Sequence, residues 1–571
     1  MKKSFILNLL LSVSLLSSSF AFAQSGSSSK ITPKQPDRPA ITAKNGQPTA
    51  ATVDNVENDL AEALTVVQDN YVDGKKLDYN ELFKSSIEGM LHTLDPHSNY
   101  FDAKEFEAFR TEQRSEYFGI GATIGDLRDN DTTWTFIRAT FDNSPAYRAG
   151  LRYGDKILEV NGVSMKNKSY FEVRNNLRGP RGTIAKLLVE HYANKQTQRI
   201  EITRDAVPQP SIPEVYMIKP GVGYIAMTGG FNQTTAEEFR AAINELKSQG
   251  MEKLIVDLRG NGGGLVSQAY QVASYFLQRG QVVFTQRGRI PDTFGSFASN
   301  NPAPDKTPLV VLVNRGTASA SEILSGALQD HDRALIVGEP TFGKGLVQNP
   351  FPLPYSSALL LTIAKYQTPS GRTIQRDYSN GNLYDYYTQG GTLRENRTQT
   401  KPTGAESRTD TGRVVYGGGG IAPDEIVKPA VITQAQQRLN DPIFAFALEL
   451  SAGKIAGFEN YKVDRAIEFG RDLKSTDFPM TNQLFAVFKN FVASKPTYKI
   501  FSAAQLDKER SFIERQLRFE MATAAFGSTT SFQVYNETDP QILRAFAIFP
   551  RAEQLAQSAA QTTNTAKNPA D

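Results

Sequence analysis

Cysteine is absent from this 571-residue chain. That excludes disulfides, a thiolate nucleophile and a cysteine-held metal. Histidine is scarce: only His92, His97, His191 and His331 are present, scattered over the helical leader, the β-rich segment and the core, which makes a zinc site an unfavoured reading. Neither sign of charge is in excess, since 63 basic and 60 acidic side chains leave a net +3. Such a balance gives no reason to expect nucleic acid as a partner. Beyond residue 23, no apolar run is long enough to span a bilayer. What remains, 40% hydrophobic and 22% charged, is the composition of a globular protein with length for three or four domains.

The first 23 residues read as an export signal. Lys2 and Lys3 precede an apolar run from Phe5 to Leu16, and Ala21-Phe22-Ala23 forms a small-x-small cleavage site. Asn8, Ser12 and Ser14 interrupt the run, which favours a cleaved leader over a membrane anchor. Cleavage removes both lysines and leaves a net +1. The mature protein is expected in the cell envelope, most simply the periplasm, without stable membrane insertion. Residues 24–52, rich in Ser, Pro, Thr and Gly, predict a flexible leader.

Residues 53–112 predict a helical N-terminal region, with Val56, Leu60, Leu64 and Val67 at helical spacing. Residues 113–206 switch to short apolar strands between glycine-marked turns, a compact β-rich module. From 207 to 435 strands such as "KLIVDLR", "PLVVLVN" and "RALIVGE" alternate with helices, which predicts an α/β core with a largely parallel sheet. A Thr234-x-x-Glu237 capping box is expected at the first of those helices. Residues 376–416 form a polar insertion expected to loop out, 436–555 return to helical patterning, and 556–571 are expected to be disordered.

The chemistry concentrates in "NRGTASASEILSGALQDHDRALIVGEPTFGKG", residues 314–345. Ser319 stands where a strand gives way to a helix. Unpaired amides there carry partial positive charge and suit a nucleophile that must shed negative charge. The alternative is purely structural, because Ser319-Ala-Ser-Glu322 is also a capping box. No Gly-x-Ser-x-Gly elbow surrounds the serine. His331 cannot be its base: it closes the same helix twelve residues later, roughly 18 Å along the axis, where a C-terminal cap suits it better. The other three histidines read as surface or packing residues.

Lys344 fits the role better. It follows the strand "RALIVGE", which a right-handed crossover sets beside "PLVVLVN", so its loop and Ser319 share one sheet edge. Gly343 and Gly345 permit close backbone approach. Burial would penalise the ammonium and free a neutral amine, with Gln348 as a neutral group to orient it. The "GNGGG" loop, residues 260–264, reaches the same edge and can join the Ala320 amide in an oxyanion hole, or be a plain turn. Gly338-x-x-x-x-Gly343-Lys344 imitates a phosphate-binding loop. However, Gly345 replaces the metal-holding Ser/Thr, and Pro350, Pro352 and Pro354 prevent the helix that would receive phosphate.

Taken together, "TASASEILSGALQD", "GEPTFGKGLVQ", "TPSGRTIQ" and "GGGGIAPDE" resemble the carboxyl-terminal processing (tail-specific) serine proteases. "VDLRGNGGGL" resembles their oxyanion-side loop, "SPAYRAGLRYGDKILEVNGV" with "LRGPRGT" their inserted PDZ domain, and "LDPHSNYF" the segment before it. The likeness spans residues 85 to 430, approximately. It implies a multidomain α/β protein: a crotonase/Clp-protease-like α/β core at 207–435, an inserted PDZ domain at 113–206, and helical regions at both ends. It implies Ser319 as nucleophile, Lys344 as general base, Gln348 as the orienting third member, and Ala320 with Gly262 or Gly263 as oxyanion donors. The implied activity is cleavage of protein substrates near their C-termini, without metal, nucleotide or other cofactor. Phe118, Gly119, Ile120 and Gly121 of "YFGIG" would receive a substrate's terminal carboxylate while its tail adds as a strand. The resemblance also suggests that the PDZ domain gates the site and that the helical leader pairs two copies. The insertion at 376–416 and the region 436–555 exceed the family's minimal form. The rival reading is a non-catalytic PDZ scaffold that binds tails, with Ser319 only a cap.

Overall fold

Leu309–Val313 is a run of five aliphatic residues, all buried. A strand apolar on both faces has to be central, with a layer packed on each side. The computed structural model of the chain, which describes residues 52–129, 131–379, 386–387, 404–464 and 466–567, builds the molecule around that strand. The expected export signal and leader, up to residue 51, and the middle of the insertion lie outside the described residues.

The chain begins with helices α1 (Val53–Asn70) and α2 (Tyr79–His92), strand β1 (Asn99–Phe101) and helix α3 (Ala103–Gln113). The β-rich module follows: β2 (Glu116–Gly119), β3 (Ala122–Asp129), β4 (Thr132–Thr140), α4 (Pro145–Arg148), β5 (Lys156–Val160), β6 (Val163–Ser164), α5 (Tyr170–Leu177), β7 (Ile184–Glu190), β8 (Thr197–Thr203) and β9 (Asp205–Pro208). The core comprises β10 (Glu214–Lys219), β11 (Val222–Ala226), α6 (Thr235–Ser248), β12 (Lys253–Asp257), α7 (Val266–Phe276), β13 (Val282–Gly288), β14 (Gly295–Ala298), β15 (Leu309–Val313), α8 (Ala320–Asp330), β16 (Leu335–Gly338), β17 (Leu346–Pro352), β18 (Ala358–Gln367), the hairpin β19 (Glu406–Arg408) and β20 (Val414–Tyr416), and β21 (Glu425–Ile426). Five helices close the chain: α9 (Gln434–Ser451), α10 (Asn482–Ser494), α11 (Ala503–Lys508), α12 (Arg510–Asn536) and α13 (Pro540–Lys567).

The main sheet has the order β10-β11-β12-β15-β16-β21, antiparallel at β10–β11 and parallel elsewhere. Strand alternation assigns its two faces. Leu309, Val311 and Val313 pack with α6, α7 and α8, while Val310 and Leu312 pack under Ile542, Ala545, Phe549 and Ala552 of α13. The β-module has its own sheet, β3-β4-β5-β7-β8, with β3 as a free edge and α5 beside it.

The crotonase/Clp-protease-like core expected from the sequence is corrected here. The strand–helix alternation is present from β11 to β16, but it supplies only one of two sheets. β13 pairs antiparallel with β14 and with β18 in a second sheet, which β17 joins beside β18, and α13 roofs the main sheet from the far end of the chain. Local alternation contains no signal for either feature. The Thr234–Glu237 capping box does not form: Thr234 has near-helical backbone angles and its hydroxyl bonds Glu238 at 2.5 Å instead. The stretch of composition-based disorder after residue 555 is helical as far as Lys567, in keeping with its alanine and glutamine content.

The described residues fall into two compact units. Residues 350–361 join α1, α2 and β1 in the smaller; residues 104–349 and those from 362 onward form the larger. In the smaller unit β1 pairs with the first residues of β18. The apolar row that predicted α1 exists, but Val56, Leu60, Leu64 and Val67 all face solvent. Within the larger unit the β-module is fastened to the C-terminal helices. Arg138 of β4 pairs with the buried Glu520 of α12 and stacks 3.5 Å over Phe444 of α9, and Tyr153 donates to the same carboxylate at 2.8 Å.

Glu214, at the head of β10, is buried, and its Oε2 has no hydrogen-bond partner. Burial and the neighbouring Asp257 charge push its carboxyl up to about 8, against the pull of Arg259. The folded state therefore holds this proton more tightly than the unfolded chain. The associated stabilisation is complete below the ordinary value of 4.5 and is lost as pH rises through about 8. Glu214→Gln removes that loss. Its melting temperature should match wild type near pH 5 and exceed it increasingly towards pH 9. A difference that does not grow with pH in parallel melts would contradict this placement.

Candidate active site

Because β12, β15 and β16 run parallel, their carboxyl ends deliver three loops to one edge of the sheet. Short polar side chains lace those loops together. Asn314 Oδ1 accepts the amides of Gly260 and Gly316, both at 2.9 Å. The Thr317 hydroxyl donates to the Leu258 carbonyl at 2.8 Å, and the Thr317 carbonyl accepts the Phe342 amide at 2.9 Å. The Asn261 carbonyl accepts both the Ala318 amide (2.9 Å) and the Ser321 hydroxyl (3.0 Å).

Of the three serines in this stretch, Ser321 and Ser325 are fully buried and their hydroxyls are bonded to the carbonyls of Asn261 and Ser321. Ser319 is different. It is half-buried, immediately precedes α8, and has φ 57° and ψ −117°. A non-glycine residue held there is strained by about 1–3 kcal/mol. The strand-to-helix turn is thus an elbow, although no flanking glycine announces it in the sequence.

Glu322 holds this elbow. Its side chain is buried and accepts four hydrogen bonds: Thr341 Oγ1 (2.5 Å) and the Gly343 amide (2.7 Å) at Oε1, and the amides of Ser319 (2.8 Å) and Lys344 (2.9 Å) at Oε2. One oxygen therefore ties Ser319 to Lys344, and their main-chain nitrogens lie no more than 5.7 Å apart, the two bonds end to end. Burial pushes the Glu322 carboxyl above its usual range, and the Thr341 hydroxyl and the three amides pull it part of the way back. On the carbonyl side, the buried Tyr366 hydroxyl lies 3.0 Å from both Ser319 O and Lys344 O. Burial and the nearby Glu322 keep that phenol far above its ordinary value, so it remains a donor. Lys344 Nζ donates to Gln348 Oε1 at 2.7 Å. Gly343 and Lys344 amides, which a phosphate-binding loop would need, are thus occupied by a carboxylate.

The glycine loop lies against the same turn. A Cβ on Gly263, whose φ is 99°, would sit 2.8 Å from Ser319 Cβ and 2.9 Å from the Ala320 nitrogen, so no side chain fits. The Gly263 amide donates to Asn261 Oδ1 at 2.9 Å, whereas Gly262 is exposed. His331 caps the far end of α8 and bonds Asp410 (2.8 Å) and the Val282 carbonyl (2.7 Å). His191 bonds Asp155 and Gln198.

In the β-module, Phe118 and Gly119 end β2, and Ile120 and Gly121 turn into the edge strand β3. The carbonyls of Ile120 and Gly121 accept the amides of Ala146 (2.7 Å) and Phe141 (3.1 Å). A Cβ on Gly121, at φ 76°, would meet Ser144 Cβ at 2.4 Å. Sequence reasoning treated Glu322 only as a capping partner. The cap pattern was its signal, but nothing in it indicated that the same carboxylate would reach the Lys344 loop. Tyr366 gave no signal at all.

Comparison with known proteins adds to this geometry. Residues 221–386 match the model of Peptidase family S41, and residues 140–191 that of a PDZ domain. Over 302 residues the chain is 35% identical to the carboxy-terminal-processing protease of Bartonella bacilliformis, covering 52% of this chain and 68% of that one. Over 328 residues it is 32% identical to the carboxy-terminal processing protease CtpB of Bacillus subtilis, covering 57% and 66%. A solved photosystem II D1 C-terminal processing protease aligns over 67% of this chain and 95% of its own, at 28% identity and a TM-score of 0.34. The segment expected to be a crotonase/Clp-protease-like core thus matches peptidase family S41, which overturns that description.

Replacing Glu322 by Ala leaves three amides and a hydroxyl without an acceptor in a buried position. The expected cost is at least about 3 kcal/mol of stability. Tyr366→Phe, which removes one donor, should cost about 1 kcal/mol. Denaturant melts check both, and a Glu322→Ala chain as stable as wild type would show that the carboxylate is not the anchor.

Proposed function

Because the chain belongs to the carboxy-terminal-processing serine proteases of peptidase family S41, we propose that Ser319 is its nucleophile, Lys344 its general base and Gln348 the residue that orients the base. The enzyme is a serine endopeptidase that cleaves protein substrates near their C-termini and carries a PDZ domain for substrate recognition. The observation that carries the residue assignment is the single Glu322 oxygen bonded to the amides of both Ser319 and Lys344.

The steps follow from these positions. The neutral Lys344 amine, held by Gln348, takes the Ser319 proton as the hydroxyl oxygen attacks a peptide carbonyl. The oxyanion forms at the N-terminus of α8, where the Ala320 amide is one of the helix's unpaired first-turn donors. Gly262 is the better second donor, since the Gly263 amide is directed to Asn261. The leaving amine takes the proton from Lys344. Water, deprotonated in turn by the same lysine, attacks the acyl carbonyl, and the lysine returns that proton to the departing Ser319 oxygen as the new carboxyl group is released. A substrate tail would add along the free edge of β3, with its terminal carboxylate on the amides of the Phe118–Gly121 turn. The residue 1–23 signal supports export to the cell envelope, most simply the periplasm. No described helix is long and apolar enough to cross a membrane.

Ser319→Ala, Lys344→Ala and Lys344→Arg should each lower cleavage of an unstructured tailed substrate by about 10³-fold or more, with circular dichroism unchanged. Wild-type activity should rise with pH as one group deprotonates. Product masses read the result directly. Full activity in any folded variant removes that residue from the mechanism, and a wild type that binds tails without shortening them would leave a binding scaffold.

The exposed row Val56, Leu60, Leu64 and Val67 on α1 supports a homodimer formed through that helix. Leu60→Glu with Leu64→Glu should convert a dimer to a monomer in sedimentation velocity. A wild type that is monomeric at micromolar concentration would rule the dimer out.

A further inference from the structure

We infer that Arg174 and Arg178 form a carboxylate-reading subsite beside the tail groove, so that the preferred substrate tail carries an acidic side chain within its last three residues. This rests on the proposed capture of tails between β3 and the Phe118–Gly121 turn.

Tyr170, Arg174 and Arg178 recur at intervals of four along α5 and its C-cap, the helix beside the free edge of β3. Arg178 lies 4.9 Å over the ring of Tyr117, the residue leading into the carboxylate turn. Arg174 stacks 5.1 Å from Phe171, and its Nε is buried without an acceptor. One Arg174 Nη makes a long 3.3 Å bond to Asn175. Neither guanidinium has a carboxylate within ion-pair distance among the described residues. Nearby arginines of the same module are satisfied: Arg181 pairs with Asp205 at 2.8 Å, and Arg204 bonds the carbonyls of Leu177 and Asn176 at 2.9 and 2.8 Å.

The surrounding carboxyls do not fill this role. Asp126 of β3 is bonded to Thr135 and to the Tyr170 amide, and Glu172 to Ser169 and Lys168. Glu112 of α3 feels the Arg178 charge, but burial holds its carboxyl above the usual range. Burial and the charge of Arg178 also disfavour the Arg174 cation. A buried guanidinium donor without an acceptor, and a like charge one turn away, are both relieved by a planar carboxylate. The tail's own terminal carboxylate, seated on backbone amides, answers one arginine at most. Residues one helical turn apart are separated by about 6 Å, close to the roughly 6.6 Å rise of two extended residues. A second carboxylate on the tail therefore matches the second guanidinium.

The test uses the full chain carrying Ser319→Ala and fluorescein-labelled ten-residue peptides, read by anisotropy. Three peptides carry Glu at the last, second-last or third-last position, and each has a Gln counterpart. At one position Glu should bind about tenfold tighter than Gln, as expected for a charge-assisted bond of about 1.4 kcal/mol. The preference should vanish in Arg174→Gln while the Gln peptides bind as before. Equal affinity of Glu and Gln peptides at all three positions overturns the proposal, and so does a preference that survives in Arg174→Gln. Failure of tail capture itself shows separately: amidating the peptide C-terminus would then leave affinity unchanged, whatever the Glu/Gln ratio.

Discussion

A single buried carboxylate governs the geometry of this enzyme. Glu322 receives the amide of Ser319 and that of Lys344 on one oxygen, and the Thr341 hydroxyl and Gly343 amide on the other. Two loops that leave different strands are thereby fixed against each other through their backbones, before the side chains of Ser319 and Lys344 are considered. Tyr366 applies the same constraint from the carbonyl side. The arrangement resists drift because the accepting carboxylate is fully buried and its four donors, buried or half-buried, would lose their partner if it moved.

That local constraint depends on the layers behind it. Parallel β12, β15 and β16 set three loop ends side by side, and aliphatic packing on both faces keeps the strands in register. Two other C-terminal helices, α9 and α12, hold the PDZ module through Phe444, Glu520 and the side chains that meet them. Recognition and chemistry therefore hang from one continuous scaffold within the larger unit.

Much of this was legible in the sequence, and the reasons are particular. The runs at 253–257, 309–313 and 335–338 are short, aliphatic and separated by helix-forming segments, so their parallel adjacency follows from handedness. The exclusion of His331 required only a helix rise, and the structure puts that residue at the C-cap of α8. What could not be read were features linking distant segments. The second sheet pairs β13 with β18, far apart in the chain, and leaves no mark on local patterning. The apolar row on α1 correctly signalled a helix, but period alone cannot say whether the face it marks is covered within the chain. Glu322 looked like a cap because three of its four donors lie beyond the cap itself, around residues 341–344.

The backbone at position 319 has a consequence for how such a chain evolves. Its left-handed conformation is one that glycine adopts at little cost and serine does not. On the proposed assignment of Ser319 as nucleophile, selection for persistence of the fold alone would favour a residue with no hydroxyl to offer, and every generation that retains the serine carries a small thermodynamic handicap in exchange for turnover. Inactive descendants of this lineage should accordingly tend to be sturdier than their working ancestors, and the same position marks where a catalyst most readily becomes a mere binder.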